Sequence, residues 1–489
     1  MNPFPETFQR ERRFARRLNA ATVATLVTAA LIAPSSVAQD ASGQNVSGQN
    51  VSVATPASLW SRDGEDWPRM LGPRGDNRSM ESGVQLEWPA GSEPKIVWTL
   101  PTGTGYANGV AAHGRFFQFD RFGDVERLTC AHAETGKVLW TAEGPVEYTD
   151  SYGYNNGPRC SPMVDGGQVF VHGVAGRLAS YRVEDGKLLW QRSLNEEYNV
   201  VPNFFGVGSA PLVVGDLLWV MVGGSVKDSA LIVGGQVQGA TPNGTAMVAF
   251  DRFTGEEKYR IGDDLASYSA PILATFEGKA WCLAFCRAGL IVFDPANGQI
   301  ADRFPWRSEV YESVNAASPI VRGDEIWLTE TYGPGSVKLR FSGGKLTELW
   351  RDDKLQKTQA MRAHWATPIL SDRFLFGCSG RNEPDANLRC VDWESGKVQW
   401  QVRNRDRTNL LGVQDHFFVY GEYGQLALMK ANPDRAEVVI AWDYEQEKGE
   451  DGRPLLEAPT WSPPVLSHGY LYLRGARRIV CLDVRQPTP

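Results

Sequence analysis

The chain has 489 residues, of which 42% are hydrophobic, with 16 Trp and 50 Gly. That length is enough for several domains or for one large array of repeats. The aromatic, glycine-rich composition is typical of a turn-rich β protein and excludes a disordered chain. The net charge of −7 argues against a surface that binds nucleic acid.

The N-terminus has the pattern of an export signal. Five Arg precede an apolar run from Ala20 to Ala33, and small residues follow up to Ala38, as in a cleaved signal peptide. The apolar run has 14 residues, too short to cross a bilayer, although an uncleaved anchor is the alternative. Residues 1–38 hold five Arg and two Glu, so the remaining chain has a net charge of −10. We predict a periplasmic or secreted monomer that is cleaved near Ala38 and has no membrane span after cleavage. The pattern does not distinguish export by the Sec route from export by the twin-arginine route.

Two segments separate this signal from the body of the protein. Residues 39–65 are polar and begin with two copies of Ser-Gly-Gln-Asn-Val, a composition that predicts a flexible linker. Residues 66–94 contain Trp67 and several Pro and Gly, too many for a helix. They are predicted to form an N-terminal arm packed on the body, which spans residues 95–485.

One motif recurs throughout the body: a Gly turn, often Gly-Lys, followed by a strand that ends in an aromatic residue. The Gly supplies the positive φ of a hairpin turn, and an Asp at the end of the preceding strand can accept turn N–H groups. The aromatic positions are Trp98, Trp140, Trp190, Tyr259, Phe304, Trp350, Trp400 and Trp442. Most are 42 to 50 residues apart, which is the period of a propeller blade.

Eight aromatic positions predict eight blades. Residues 461–484 supply three strands and lack a fourth, while Lys95–Trp98 resembles a fourth strand with nothing before it. The predicted fold is therefore all-β: an eight-bladed β-propeller of four-stranded antiparallel blades, closed by an N-terminal strand that joins the C-terminal blade. Closure of the ring removes exposed sheet edges. The longest interval carries a Gly-rich insertion at residues 223–244.

The repeat with Gly-Lys-x-x-Trp resembles the tryptophan-docking motif of exported eight-bladed pyrroloquinoline-quinone-like (PQQ-like) propellers, over about residues 95–485. The Trp67-Pro68 and Gly72-Pro73 arm resembles that of planctomycete members. Two branches share this fold: quinoprotein alcohol dehydrogenases and BamB-type scaffold proteins. The resemblance implies that the enzymes hold their quinone with an adjacent Cys-Cys disulfide, a stacking Trp, Ca²⁺ ligands and an Asp base.

The sequence departs from both branches. It has no Cys-Cys pair, so no catalytic residue can be transferred, and its first cysteine is Cys130, which excludes the lipid anchor usual in the scaffold branch. We predict a non-enzymatic BamB-like module for a protein or cell-envelope partner, without a resident cofactor. The alternative is a PQQ-dependent alcohol dehydrogenase with Ca²⁺ and a divergent site.

In a propeller, the loops that enter the innermost strands and the loops that join second and third strands share one face, around the channel mouth. The residues predicted to bind a ligand there are Asn155, Asn156, Arg159, Tyr268, Asn315, Arg362, His364, Trp365, Arg381, Asn382, Glu383 and Trp461. Among them, arginines suit an anion and indoles a flat ring, oxygen ligands suit a hard cation, and a His suits a general base. The alternative is that these groups cap loops and hydrogen-bond one another.

Two of these segments belong to one repeat. Residues 362–365 enter its first strand and residues 381–383 leave its second, so the antiparallel pairing should bring them side by side. The seven cysteines show no metal-ligand spacing. The pairs Cys282 with Cys286 and Cys378 with Cys390 are either disulfides or small buried hydrophobic residues.

Overall fold

The computed structural model describes residues 53–201, 204–233, 236–310, 313–353, 358–403 and 405–486. The predicted signal peptide and the first part of the predicted linker lie outside the described residues. Within these ranges the chain forms eight blades of four antiparallel strands, one of which gains a short fifth strand in parallel pairing, and a separate two-stranded hairpin. There is very little helix. The predicted all-β, eight-bladed propeller is confirmed. In the described part of the chain no helix has the length and apolar character needed to cross a membrane.

Two strands precede the first blade, and blades 1 to 4 then follow the chain from the innermost strand outwards. The early strands are β1 (Arg78–Ser79) and β2 (Lys95–Pro101). Blade 1 contains β3 (Val110–Ala112), β4 (Arg115–Phe122), β5 (Val125–His132) and β6 (Val138–Pro145). Blade 2 contains β7 (Met163–Asp165), β8 (Gln168–His172), β9 (Arg177–Arg182) and β10 (Leu188–Ser193), followed by the short helix α1 (Leu194–Glu197). Blade 3 contains β11 (Leu212–Val214), β12 (Leu217–Met221), β15 (Met247–Asp251) and β16 (Glu257–Ile261), with the hairpin β13 (Leu231–Val233) and β14 (Gln236–Gly239) inserted between its second and third strands. Blade 4 contains β17 (Ile272–Phe276), β18 (Lys279–Phe285), β19 (Gly289–Phe293) and β20 (Ile300–Pro305).

Blades 5 to 7 repeat this order, and blade 8 takes its outermost strand from the N-terminal part of the chain. Blade 5 contains β21 (Ile320–Arg322), β22 (Glu325–Glu330), β23 (Gly335–Ser342) and β24 (Lys345–Arg351). Blade 6 contains β25 (Ile369–Ser371), β26 (Phe374–Ser379), β27 (Asn387–Asp392) and β28 (Val398–Val402). Blade 7 contains β29 (Thr408–Val413), β30 (His416–Gly421), β31 (Gln425–Lys430) and β32 (Glu437–Asp443). Blade 8 contains β33 (Val465–Ser467), β34 (Tyr470–Arg474) and β35 (Arg478–Asp483), and β2 pairs antiparallel with β35.

In four of the repeats the Trp position joins its blade to the next one through a hydrogen bond. The indole N–H of Trp98 donates to the carbonyl of Ala133 at 2.8 Å, in the turn between the third and fourth strands of blade 1. Equivalent bonds run from Trp140 to Val183 at 3.0 Å, from Trp190 to Arg252 at 2.8 Å and from Trp400 to Asn432 at 2.8 Å. Each buried or half-buried indole therefore fills the space between two sheets and satisfies its polar atom there.

The turn that receives the indole needs glycine for two reasons. Gly186 has a φ of +73°, which costs other residues free energy. A Cβ at this position would also lie 2.5 Å from the ring of Trp140. The predicted Asp interaction is present in the same kind of turn, where Asp251 accepts hydrogen bonds from the N–H groups of Phe253 and Thr254.

Replacing Gly186 with Ala is expected to lower the free energy of unfolding by about 1–3 kcal/mol more than replacing Gly215 with Ala, because the docked Trp140 must move. Gly215 has a φ of +59° but nothing within 4 Å of its Cβ position, so it reports the backbone cost alone. Denaturant unfolding of both variants measures the difference. Equal losses of unfolding free energy in the two variants would show that the indole of Trp140 moves aside without a cost.

The N-terminal arm begins before residue 66. The N–H of Leu59 donates to the carbonyl of His113 at 3.0 Å, and Trp60 stacks on His468 with ring centroids 3.9 Å apart. The last part of the predicted linker is therefore packed on the propeller. Beyond it, Trp67 pairs with the innermost strand of blade 1 and β1 pairs with that of blade 7. Innermost strands line the channel, so this part of the arm lies in the channel. His113 and His468 lie in turns between first and second strands, on the face opposite the mouth, so the arm enters from that side.

All seven cysteines are buried and free, so the suggested disulfides are wrong. Cys282 lies in β18 and Cys286 follows that strand directly. Four residues of extended chain span about 13 Å, which is beyond the reach of a disulfide. Cys390 is opposite Phe376 rather than Cys378. Burial raises the pKa of Cys378 to about 11, which keeps this thiol protonated at neutral pH.

Candidate functional site

The two predicted segments of blade 6 meet at the channel mouth. The N–H of Gly380 donates to the carbonyl of Arg362 at 2.7 Å, and the N–H of Arg362 donates to the hydroxyl of Ser379 at 3.0 Å. The guanidinium of Arg362 is almost completely buried and donates to Asp385 at 2.6 Å. The predicted juxtaposition is confirmed, but the charge of Arg362 is already compensated within the loop.

His364 lies at the centre of this side of the mouth. Its Nε2 is 3.1 Å from the hydroxyl of Tyr332, and the guanidinium of Arg381 covers the ring of Tyr332 at 4.8 Å. Burial, together with the positive charges of Arg407 and Arg381, lowers the pKa of His364 to about 3. The imidazole is therefore neutral at physiological pH and too weakly basic for the general-base role that the sequence suggested.

Trp365 and Trp461 come from different blades and pack together, with ring centroids 5.6 Å apart. The guanidinium of Arg407 covers both rings, at 4.6 Å from Trp365 and 4.7 Å from Trp461. Glu422 accepts from Arg407 Nε at 2.9 Å and from the indole N–H of Trp461 at 2.9 Å. The indole faces that were predicted to stack on a ligand therefore hold an internal arginine.

Arg407 and Glu422 were missed by the sequence reasoning. The signal was a dense run of charges, Arg405-Asp406-Arg407, immediately before the innermost strand of blade 7. That repeat also lacks the small residue followed by Pro that precedes the innermost strand in blade 6, as Thr367-Pro368, and in blade 8, as Ser462-Pro463. Burial raises the pKa of Asp406, against the opposing effect of Arg405, and its carboxylate accepts the N–H of Glu422 at 3.0 Å.

The loop before blade 2 is organised around its own aspartate. Asp150 accepts from Arg159 at 2.8 Å and from the N–H of Asn155 at 3.2 Å. The side-chain oxygen of Asn156 accepts the N–H of Asp150 at 2.8 Å, and Asn155 accepts that of Gly157 at 2.8 Å. The three residues predicted here as ligand-binding groups act as loop caps.

Tyr268 and Asn315 connect blades 4 and 5 with neighbouring loops. The hydroxyl of Tyr268 accepts the N–H of Phe205 at 2.8 Å. The amide of Asn315 donates to the carbonyls of Cys286 at 2.8 Å and Trp306 at 3.0 Å. Asn315 is fully buried, so its side chain supports the loops and does not face the mouth.

Asn382 and Glu383 stand at the tip of the second blade 6 loop. The carbonyl of Asn382 accepts the N–H groups of Asp385 at 2.7 Å and Ala386 at 2.9 Å, which closes the loop. The neighbouring carboxylate of Asp385 is held by Arg362 and by the N–H of Arg381 at 3.2 Å. Among the described residues no group of three His, Cys, Asp or Glu side chains is arranged to hold a metal ion.

These contacts do not fit a bound pyrroloquinoline quinone. The cavity lined by His364, Trp365, Ala366, Cys378, Gly380 and Arg407 has room for about one water molecule. A carboxylated quinone also needs cationic partners, and Arg362 and Arg407 are each paired with a carboxylate of the protein. The loop-capping alternative describes the interior of the mouth.

Glu330 ends β22 beneath this site and was not predicted. Its carboxylate accepts the N–H of Tyr332 at 2.8 Å and the hydroxyl of Ser313 at 3.1 Å, and thus positions the tyrosine that contacts His364. Burial raises the pKa of Glu330 to about 7, against smaller opposing effects of these hydrogen bonds and of Arg307. The folded protein therefore holds this proton more tightly than an unfolded chain with a pKa of 4.5.

Raising the pH from 5 to 8 is expected to reduce the free energy of unfolding by about 2–3 kcal/mol through Glu330 alone. The stabilisation is complete below pH 4.5 and is lost as the pH rises through 7, because the buried carboxylate then becomes charged. Glu330→Gln should remove this part of the slope. Melting temperatures across this pH range test the prediction, with Glu143→Gln on an outer strand as the control. Parallel curves for Glu330→Gln and the wild type would contradict it.

The outward surface of the mouth face is apolar at several points. The exposed large hydrophobic residues carried there by loops are Tyr152, Tyr154, Val226, Leu231, Val310 and Tyr423. We call this set the mouth-face patch. Tyr154 is 59% exposed and Leu231, on the hairpin inserted in blade 3, is 61% exposed. Tyr154 also packs against Phe205 and Trp461 with centroids 5.8 and 6.0 Å apart, so part of the patch rests on the paired interior.

Comparison with known proteins identifies the family. The model of the family described as outer membrane protein assembly factor BamB matches residues 51–232 and 243–486. BamB from Moraxella catarrhalis has a similar solved structure, with a TM-score of 0.54, 11% identity, and coverage of 81% of this chain and 100% of that chain. None of the curated proteins matches the chain.

Two dehydrogenase structures are also among the similar solved structures, with lower TM-scores. A quinohemoprotein alcohol dehydrogenase from Comamonas testosteroni gives a TM-score of 0.45 at 14% identity, covering 87% of this chain and 82% of that chain. A europium-containing methanol dehydrogenase gives 0.46 at 12% identity, covering 85% and 90%. The family model matches most of this chain, which shows that the chain belongs to the BamB family of PQQ-like β-propellers.

Proposed function

We propose that this protein is an exported, non-enzymatic propeller that binds a protein or cell-envelope partner through its mouth face. The observation that carries the proposal is the mouth-face patch. Of the described residues, the other exposed large hydrophobic side chains lie on the arm or on outermost strands, namely Met80, Ile96, Val138, Leu139, Leu188 and Tyr259. The mouth face instead gathers such residues from the loops of several blades on one side of the disc.

The chemistry of this face favours association over catalysis. Its arginines Arg159, Arg362 and Arg407 are paired with carboxylates, so a ligand would gain little from their charges. Exposed aromatic and aliphatic side chains, in contrast, can be desolvated by a partner. Aromatic residues surrounded by polar groups are typical of protein interfaces. The acidic net charge disfavours nucleic acid. The BamB-type family membership supports a protein partner, and the export pattern at the N-terminus supports a periplasmic or secreted protein, which we propose to be monomeric.

The alternative of a quinoprotein dehydrogenase would require the mouth to open. Arg407 would have to leave Glu422 and the two indoles that it covers, and a cavity for a tricyclic quinone would have to replace a space for one water molecule. We therefore propose no redox reaction.

Affinity capture from envelope extract with a pair of matched variants tests the proposed function. Tyr154→Ser with Leu231→Ser should reduce recovery of the partner at least about tenfold, since each exposed anchor contributes about 1 kcal/mol or more. The control, Val138→Ser with Leu139→Ser, removes side chains that are 44% and 39% exposed on an outermost strand, and it should recover the partner as the wild type does. Equal recovery by both variants, or no partner at all, would contradict the proposal.

A further inference from the structure

The end of the channel opposite the mouth is filled by residues 65–81, which we call the channel segment. It makes main-chain hydrogen bonds with innermost strands at three places. Trp67 exchanges two bonds with Ala111 of blade 1, at 2.7 and 2.9 Å. The N–H of Val164 in blade 2 donates to the carbonyl of Pro68 at 2.8 Å. In blade 7, β1 runs parallel to β29, with Arg78 opposite Gly412.

These bonds follow from the geometry of a propeller. The innermost strand of each blade has one edge that faces the axis, and its N–H and C=O groups need partners. An extended peptide can supply them, as in recognition by strand addition. The channel segment does this for strands of three different blades, none of which is adjacent to it in sequence.

Side chains of the segment anchor it between these strands. Trp67 and Leu71 are 1% and 2% exposed. The amide of Asn77 donates to the carbonyl of Leu410 in blade 7. The guanidinium of Arg78 donates to the carbonyls of Leu370 at 3.1 Å and Gln414 at 2.5 Å. The anchors are therefore a large aromatic group and hydrogen-bonding groups directed at the main chain.

The segment is compact because of its own turns. Leu71, Gly72, Gly75 and Asn77 all have positive φ angles, of 63°, 78°, 74° and 57°. Gly72 lies against the indole of Trp67, where a Cβ would be 3.0 Å from the ring. The Trp side chain thus packs on its own turn as well as on the channel wall, and the segment keeps a shape that fits the channel.

A carboxylate fixes the far end of the segment. Glu81 accepts the N–H groups of His468 at 2.5 Å and Gly469 at 2.6 Å, in the first turn of blade 8. Met80 beside it is 71% exposed, and Ser82 and Gly83 are also exposed. The segment thus ends at a point where the chain is accessible, between groups that are held by the propeller.

We propose that this end of the channel is a peptide-binding site, and that the channel segment is its ligand, bound in cis. The ligand class is a short extended peptide with a buried Trp-Pro pair, a left-handed Gly turn and an acidic end. On this proposal the channel segment can leave while the propeller stays folded, because the ring of blades alone forms the complete binding site. This site lies on the side of the disc away from the mouth-face patch, and it does not depend on the proposed function.

A protease site inserted between Ser82 and Gly83 of the full chain tests the proposal. After cleavage the N-terminal fragment should stay bound during gel filtration, and a labelled synthetic peptide of residues 64–82 in excess should exchange into its place. Trp67→Ala should release the fragment about 100-fold faster, because the main aromatic anchor is lost. Met80→Ala, an exposed position in the same segment, should release it at the wild-type rate.

Three results would overturn the proposal. In the first, the fragment leaves the wild type as fast as the Trp67→Ala variant. In the second, the fragment stays but the labelled peptide never enters, so the segment is an integral part of the fold. In the third, the cleaved propeller loses its cooperative melting transition when the fragment leaves, so that no preformed site exists.

Discussion

Replacing the seven residues Lys95–Pro101 by a Gly-Ser stretch of equal length is expected to cause aggregation or a very large drop in melting temperature. The replacement removes the outermost strand of blade 8 and leaves the edge of β35 unpaired, where it can pair with other chains. It also removes Trp98 and Leu100, which are buried. Each such truncation in a core costs about 2–5 kcal/mol, so the sum approaches the whole stability of a typical domain.

A control variant within β2 separates the effect of ring closure from the effect of changing side chains. Lys95 and Thr99 are exposed, and Lys95→Ser with Thr99→Ser keeps the main-chain pairing with β35. This variant should melt close to the wild type, since surface substitutions usually change stability by about 0.5 kcal/mol or less. Light scattering and thermal melting report both effects. A Gly-Ser variant that stays monomeric and melts normally would show that β2 does not close the ring.

Replacing Arg474 with Met is expected to cost about 3–5 kcal/mol, because it leaves a buried carboxylate without its partner. Arg474 and Asp120 are each 3% exposed, and their side chains are 2.5 Å apart. The same guanidinium donates to the carbonyls of Ala107 at 2.8 Å and Gly105 at 2.7 Å. It therefore joins blade 8 to blade 1 at the seam of the ring.

The matched comparison is an exposed ion pair of similar composition. Arg127 and Glu143 are 33% and 44% exposed, and Arg127→Met should change stability by about 1 kcal/mol or less. Adding Asp120→Asn to Arg474→Met should recover part of the loss, because the uncompensated charge disappears. Denaturant unfolding of these three variants and of Asp120→Asn alone gives the coupling free energy between Arg474 and Asp120. If Arg474→Met and Arg127→Met cost the same, the seam does not depend on this pair.

The repeat could be predicted because its interactions are local and recur at fixed spacing. Gly186 and Trp140 each require the other: the turn has no room for a side chain at the place where the indole docks. The ring count and the contribution of β2 followed from the same spacing. The meeting of Arg362 with Gly380 was predictable for a similar reason, since one hairpin brings both segments together.

The partners of the mouth residues could not be predicted in the same way. Arg407 covers Trp365 and Trp461. The three residues come from three different loops, and only the closed ring brings them together. The arm shows a second limit. Its Pro and Gly argued against a helix, but nothing in Trp67 or Asn77 specified the inner strand edges of distant blades. Such contacts depend on the width of the channel, which is a property of the whole ring.

Site-specific photo-crosslinking in cells tests the central claim most directly. A photoreactive amino acid placed at position 154 or 231 should give adducts with a partner protein, because both side chains project from the mouth-face patch. The same amino acid at position 138, on an outermost strand, should give none. Adducts from position 138 that equal those from 154 and 231, or no adducts at the two mouth positions, would contradict a docking function of this face.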